Sequence, residues 1–143
     1  MTFDAKINRY DRWLIWLLRV AGAFILLSIP AIFLPDRWMA HIHEYLGLGQ
    51  LPQVAIVSYM ARSLSAMYAL LGVFTIAFSW DVRRYAPIIS IWAYLHIVMG
   101  VLIFQIDVWS GMPWYWTYME GPPVGAAGPL VLWLQYASAR CDR

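Results

Sequence analysis

The sequence predicts an all-α integral membrane protein: a four-helix bundle with an interfacial helix in its first extracytoplasmic loop. Three observations predict it. Residues 63–80 run eighteen positions without a charge and residues 85–106 run twenty-two. At about 1.5 Å of rise per residue, each run matches a hydrocarbon layer about 30 Å thick. Apolar residues make up 62% of the chain and charged residues 13%, a balance suited to a bundle whose outer face meets lipid. The cations are also unevenly placed. With spans at about 13–34, 59–80, 86–106 and 122–139, one side receives Lys6, Arg9, Arg12, Arg83, Arg84, Arg140 and Arg143, with Arg19 snorkelling back toward it; the other receives Arg37 and Arg62. Eight against two of the ten predicts that both termini are cytoplasmic, and the chain is expected to be a multi-pass protein of the inner (plasma) membrane.

The 143 residues make one membrane domain, 1–143, and the net charge of +2 gives no reason to expect a nucleic-acid partner. Residues 1–12 form a polar leader. The first helix opens on Trp13 and Trp16 at the interface, bends near Pro30 and stops at Pro35. No small-residue cleavage site closes it, so it reads as an uncleaved anchor. From Asp36 onward Trp38, Ile42, Tyr45 and Leu46 share a helical face, which predicts an amphipathic helix over about 37–47 lying in the outer interface, ended by Gly47 and Gly49. The second span carries Ala61, Ser65, Ala69 and Gly72 on one stripe, and the fourth opens with Gly121, Gly125, Ala126 and Gly128. Small residues let membrane helices approach closely, and the preferred tight contact is helix two against helix four. Asp81-Val82-Arg83-Arg84 makes helices two and three antiparallel neighbours. Trp109, Trp114, Tyr115, Trp116 and Tyr118 form an aromatic outer cap between helices three and four.

Ionisable groups at membrane depth are functional candidates by default. Four fall near it: His96, Arg62, Asp107 and Glu120. His96 and Asp107 are eleven residues apart, about 20° on the wheel and about 16 Å along the axis, so helix three carries a partly polar face. Arg62 enters from the top of helix two, with Ser65 and Tyr68 below it. One reading is a pocket open to the outer side, with Arg62 holding an anion, His96 and Tyr68 at its floor, and Trp114 as a stacking ring. The other is structural: Arg62 pairs with Asp107 or Glu120, and His96 makes one bond between helices.

Other chemistries find little support. His41-x-His43-Glu44 on a helix points its imidazoles about 200° apart, so no metal site is expected. His96 has only Met99 nearby on its own helix as a second axial ligand, so no haem is expected. The lone Cys141 lacks a partner for thiol chemistry, and neither a phosphate-binding glycine loop nor a nucleophile with a base is visible.

The stretch Tyr59-Met60-Ala61-Arg62-Ser63-Leu64-Ser65-Ala66-Met67-Tyr68-Ala69-Leu70-Leu71-Gly72 resembles the second-helix signature of small, uncharacterised bacterial four-helix membrane proteins of the DoxX-like and BphX-like kind. Leu46-Gly47-Leu48-Gly49 is similar to their first-loop turn. Gly111-Met112-Pro113-Trp114 and Glu120-Gly121-Pro122 are similar to their last loop and the start of their fourth helix. The resemblance spans about residues 14–135 and implies a fold, not a reaction. Some DoxX-like proteins accompany quinone-linked redox enzymes, and distant relatives act as membrane chaperones or cargo receptors.

Two functions remain open. The preferred one is a non-enzymatic accessory subunit or assembly factor that binds other membrane subunits through small-residue faces and its aromatic cap. The alternative is a pocket protein that binds or transforms a quinone, isoprenoid or sterol-like lipid through His96, Arg62, Asp107, Glu120, Ser65, Tyr68 and Trp114.

Overall fold

The structure, a computed structural model, describes residues 7–142. Residues 1–6 of the leader, including Lys6, and Arg143 at the other end lie outside the described residues. All regular structure among the described residues is helical: α1 Arg9–Leu26, α2 Ile29–Phe33, α3 Asp36–Tyr45, α4 Ala55–Phe78, α5 Ala86–Trp109 and α6 Trp114–Cys141. Three stretches are long and apolar enough to cross a membrane: Arg9–Phe33, Ala55–Phe78 and Ala86–Trp109.

Local chemistry sets most of the boundaries. Asn8 caps α1: its Oδ1 accepts from the N–H groups of Tyr10 at 2.9 Å and Asp11 at 3.0 Å, and Asp11 Oδ2 accepts from the Asn8 N–H at 3.3 Å, a reciprocal capping pair. The bend expected near Pro30 is a break at Leu27 and Ser28, whose N–H groups bond to Phe24 and Ile25 three residues back. Pro30 then sits in the first turn of α2, where its missing N–H breaks no helical bond. The segment expected to be an amphipathic helix is helical, Asp36–Tyr45, and the chain turns away where Gly47 takes φ 73°. The Gly47 N–H bonds to Glu44 O and the Leu48 N–H to His43 O, which satisfies the last carbonyls of α3. Gly111, at φ 67°, closes α5 in the same way, with Gly111 and Met112 N–H groups on Val108 and Asp107 carbonyls.

The fourth helix differs from the expectation. It begins at Trp114, not near residue 122, so most of the aromatic cap is its first two turns and the connection shrinks to residues 110–113. Pro113 stands at its N-cap, and Pro122, Pro123 and Pro129 lie inside it. Proline lacks the N–H for an internal bond, which is why the pattern reads as a late start.

The described chain forms two compact units. One comprises the described residues up to Leu18 with those from Phe78 onward; the other is Arg19–Ala77. In the first, Leu14, Leu18, Val82, Ile89, Ala93, Val131 and Leu134 make a buried apolar core. The α5–α6 pair is packed backbone to backbone. A Cβ on Gly100 would collide with Cα and N of Gly125, one on Gly121 would lie 2.8 Å from Phe104 N, and one on Gly128 would strike the Ala93 carbonyl. In the second unit Gly72 of α4 meets Gly22 of α1, where a Cβ would lie 3.0 Å from Gly22 O. The small residues therefore serve different pairs from the helix-two-to-helix-four contact expected. The short connection makes α5 and α6 antiparallel neighbours, and Ala93 and Gly100, two turns apart, supply the matching stripe. Polar bonds cross the same pair: Gln135 Nε2 donates to Ala86 O at 2.9 Å, and Ser90 Oγ lies 2.9 Å from Gln135 Oε1. Elsewhere the helices expose apolar side chains, including Met60, Leu64, Met67 and Phe74 on α4 and Ile91, Leu95, Val98 and Leu102 on α5.

Candidate functional site

The residues singled out for a pocket belong to both units. Arg62, Ser65 and Tyr68 lie in the second, and His96, Asp107, Trp114 and Glu120 in the first.

In the second unit, Arg62 pairs with neither Asp107 nor Glu120 but with Asp36, the first residue of α3. Its Nη2 is 2.6 Å from Asp36 Oδ1 and 3.0 Å from the Leu34 carbonyl. Asp36, beside Pro35, lies outside the spans in which an acid at matching depth was expected. The break after α1 turns the chain so that α3 begins beside the first turns of α4. Around this pair lies a cavity of about 550 Å³ lined by Asp36, Gln53, Ser58, Tyr59, Arg62 and Ser63. Ser65 is bonded back to its own helix, Oγ to Ala61 O at 2.8 Å, and is not part of that lining. His43 Nδ1 lies 2.9 Å from Gly49 O, tying α3 to the loop that follows it.

In the first unit, His96 is half-buried and held by its own helix. Nδ1 lies 2.9 Å from the Trp92 carbonyl, and its ring stacks on the Trp92 indole with centroids 3.5 Å apart. Glu120 accepts a hydrogen bond from the Trp116 indole one turn earlier, at 2.5 Å. Asp107 is buried at 6% exposure, and its Oδ2 has no hydrogen-bond partner among the described residues. Trp114 is 75% exposed, which places its ring outward as an interfacial anchor would be placed.

The densest polar cluster was not singled out in the sequence. Asp11, 2% exposed, sits where α1 begins and collects three partners. Ser138 Oγ donates to its Oδ1 at 2.6 Å, and Arg83 donates Nε and Nη2 to its Oδ2 at 2.8 and 2.7 Å. Arg83 also reaches Asp142 at 2.9 Å, and Asn8 Nδ2 bridges Ser138 and Asp142. Hydrogen bonds to the Asp11 carboxylate hold the Arg83 guanidinium even more firmly protonated than an ordinary arginine, against the opposing effect of burial. This clasp joins the start of α1, the turn before α5 and the end of α6. The signal for it was an acid, Asp11, set between Arg9 and Arg12, with two arginines in a very short turn.

Comparison with family models, curated proteins and solved structures finds no match. The chemistry of the site therefore rests on its own geometry. It offers an arginine–aspartate pair at the mouth of a cavity in one unit, and in the other a histidine and a glutamate engaged with indoles of their own helices.

Proposed function

We propose that the chain is a non-enzymatic membrane protein of four crossings, an accessory subunit or assembly factor that holds a place in a membrane complex through its apolar faces. One observation supports this above the rest: His96, the group best placed for midplane chemistry, is engaged through Nδ1 by the Trp92 carbonyl of its own helix and stacked on the Trp92 ring. In this reading α6 is the fourth crossing, its 28 residues extending about 42 Å. In the same reading α3 lies in the outer interface, which the exposure of Trp38, Ile42 and Tyr45 supports. Both termini are cytoplasmic in a bacterial inner membrane, as the charge asymmetry and the DoxX-like resemblance suggest.

His96→Ala tests the function. The stacked ring and its bond are worth about 1 kcal/mol, so the variant should melt lower and lose no small molecule that co-purifies with the wild type. Unchanged stability together with loss of a co-purifying molecule, read by native mass spectrometry, would reverse the assignment. The orientation has its own test in Cys141, which is exposed. A membrane-impermeant maleimide added to intact cells should leave Cys141 unmodified until the membrane is opened. Labelling of intact cells would invert the topology.

A second reading, a pocket protein for a small amphipathic molecule, is favoured by the cavity at Arg62. Asp36 and the Leu34 carbonyl both engage Nη2, leaving Nε and Nη1 as donors toward an anionic or carbonyl group. A molecule retained by the wild type and lost in Arg62→Gln would move the protein to this class.

A further inference from the structure

The first unit carries a groove of about 630 Å³ between α1 and α6, lined by none of the residues singled out for the candidate pocket. Its walls are Tyr10, Trp13, Trp16 and Trp133, with Leu17 and Leu130 farther from the cationic end. Tyr10 and Trp133 meet edge to face at 6.0 Å, which joins the two helices across it. Arg9 lines one end, and Arg12 joins Arg9, Trp13 and Trp16 around an adjoining hollow of about 560 Å³.

From Arg9 to Leu17 the groove follows α1 for about 12 Å, cationic at one end and apolar at the other. Trp13 and Trp16 are each 63% exposed along it. Among the described residues no acid pairs with Arg9 or Arg12. Asp11 and Asp142 are both taken by Arg83, while Arg9 donates to the Tyr10 hydroxyl at 2.8 Å, lies over that ring at 4.7 Å and has no acid partner among the described residues. At the same end Arg84 and Arg140 lie over the rings of Tyr85 and Tyr136. A soluble anion would use the guanidinium groups and leave the indole-lined length uncovered. A zwitterionic lipid would fill the length but bring no net charge.

We infer that the α1–α6 groove is a binding site for one anionic phospholipid, its phosphate on Arg9 and Arg12 and its acyl chain along Trp13, Trp16, Leu17 and Leu130. Basic hollows between membrane helices recognise lipid headgroups in this way, with the chain adding apolar contact. The site is independent of whether the protein is an accessory subunit or a pocket protein.

The test uses the full chain extracted in mild detergent, with phosphatidylglycerol and phosphatidylcholine of identical acyl chains supplied in equal amounts and bound lipid read by native mass spectrometry. The wild type should retain one phosphatidylglycerol with a preference of about thirty-fold, the effect of two arginines at a membrane surface. Arg9→Gln with Arg12→Gln should bring the two lipids to near-equal retention, while a circular dichroism melt shows the helices intact. Equal retention by the wild type, or an undiminished preference in the folded double variant, overturns the site. If the double variant does not fold, the wild type decides through salt: the preference should fall as ionic strength rises, and a salt-independent preference overturns the site. Glycerol phosphate, the headgroup without chains, should fail to displace the bound lipid. Equal displacement would make this a site for a free anion and sink the lipid assignment.

Discussion

Gly100→Ala is expected to destabilise the first unit by about 3 kcal/mol, the upper part of the range for overpacking, while Gly125→Ala, directly across the same seam, stays within about 1 kcal/mol of the wild type. The contrast comes from what each added methyl would meet. At Gly100 every near atom is backbone: Cα and N of Gly125, and Gly121 O at 2.8 Å. No side chain can rotate away, so α5 and α6 must separate. At Gly125 the nearest atom is Gly100 Cα at 3.5 Å, an ordinary contact, and alanine gains helix propensity. Unfolding both variants in mixed micelles checks this. Equal losses at the two positions would mean that the helices pack in another register.

That seam also shows what the sequence allowed to be read. The glycines of α6 announced a close contact, because a small patch in a membrane helix has few other uses. Their partner was not legible, since Ala61, Ser65, Ala69 and Gly72 on α4 form as good a stripe as Ala93 and Gly100 on α5. The choice falls to chain length: once α6 begins at Trp114, residues 110–113 make α5 its neighbour, and the start itself was hidden by Pro122 and Pro123. The apolar runs of α4 and α5 were plain because a missing charge over a whole span is a long signal. The polar contacts were harder. Arg62 was expected to find an acid at its own depth, yet it meets Asp36 because the break at Leu27 and Ser28 redirects the chain. His96 was visible as a polar residue in an apolar run, but its stacking on Trp92 depends on side-chain rotamers that no spacing dictates.

The clasp at the other end of the first unit should show the second large effect. Arg83→Ala leaves the Asp11 carboxylate, whose side chain is 3% exposed, without its guanidinium partner, at an expected cost of about 3 to 5 kcal/mol. Asp11→Ala should cost less. The Arg83 side chain, 29% exposed, keeps Asp142 at 2.9 Å and some contact with solvent, so its charge is not stranded. The double variant Asp11→Ala with Arg83→Ala should recover part of the Arg83→Ala loss, because it removes the buried charge along with its partner. Asp11→Asn separates the contributions. It can keep an acceptor for Ser138 while removing the ionic attraction, and it should fall between wild type and Arg83→Ala. The measurement is a double-mutant cycle on unfolding in mixed micelles. A cost for Arg83→Ala below about 1 kcal/mol, the level of a solvated surface pair, would mean that water reaches Asp11 and that the three chain segments are held together by the apolar core around Leu14, Ile89 and Val131 alone. A large single loss with no recovery in the double variant would instead assign the effect to Arg83 and Asp142, moving the anchor from the start of α1 to the end of α6.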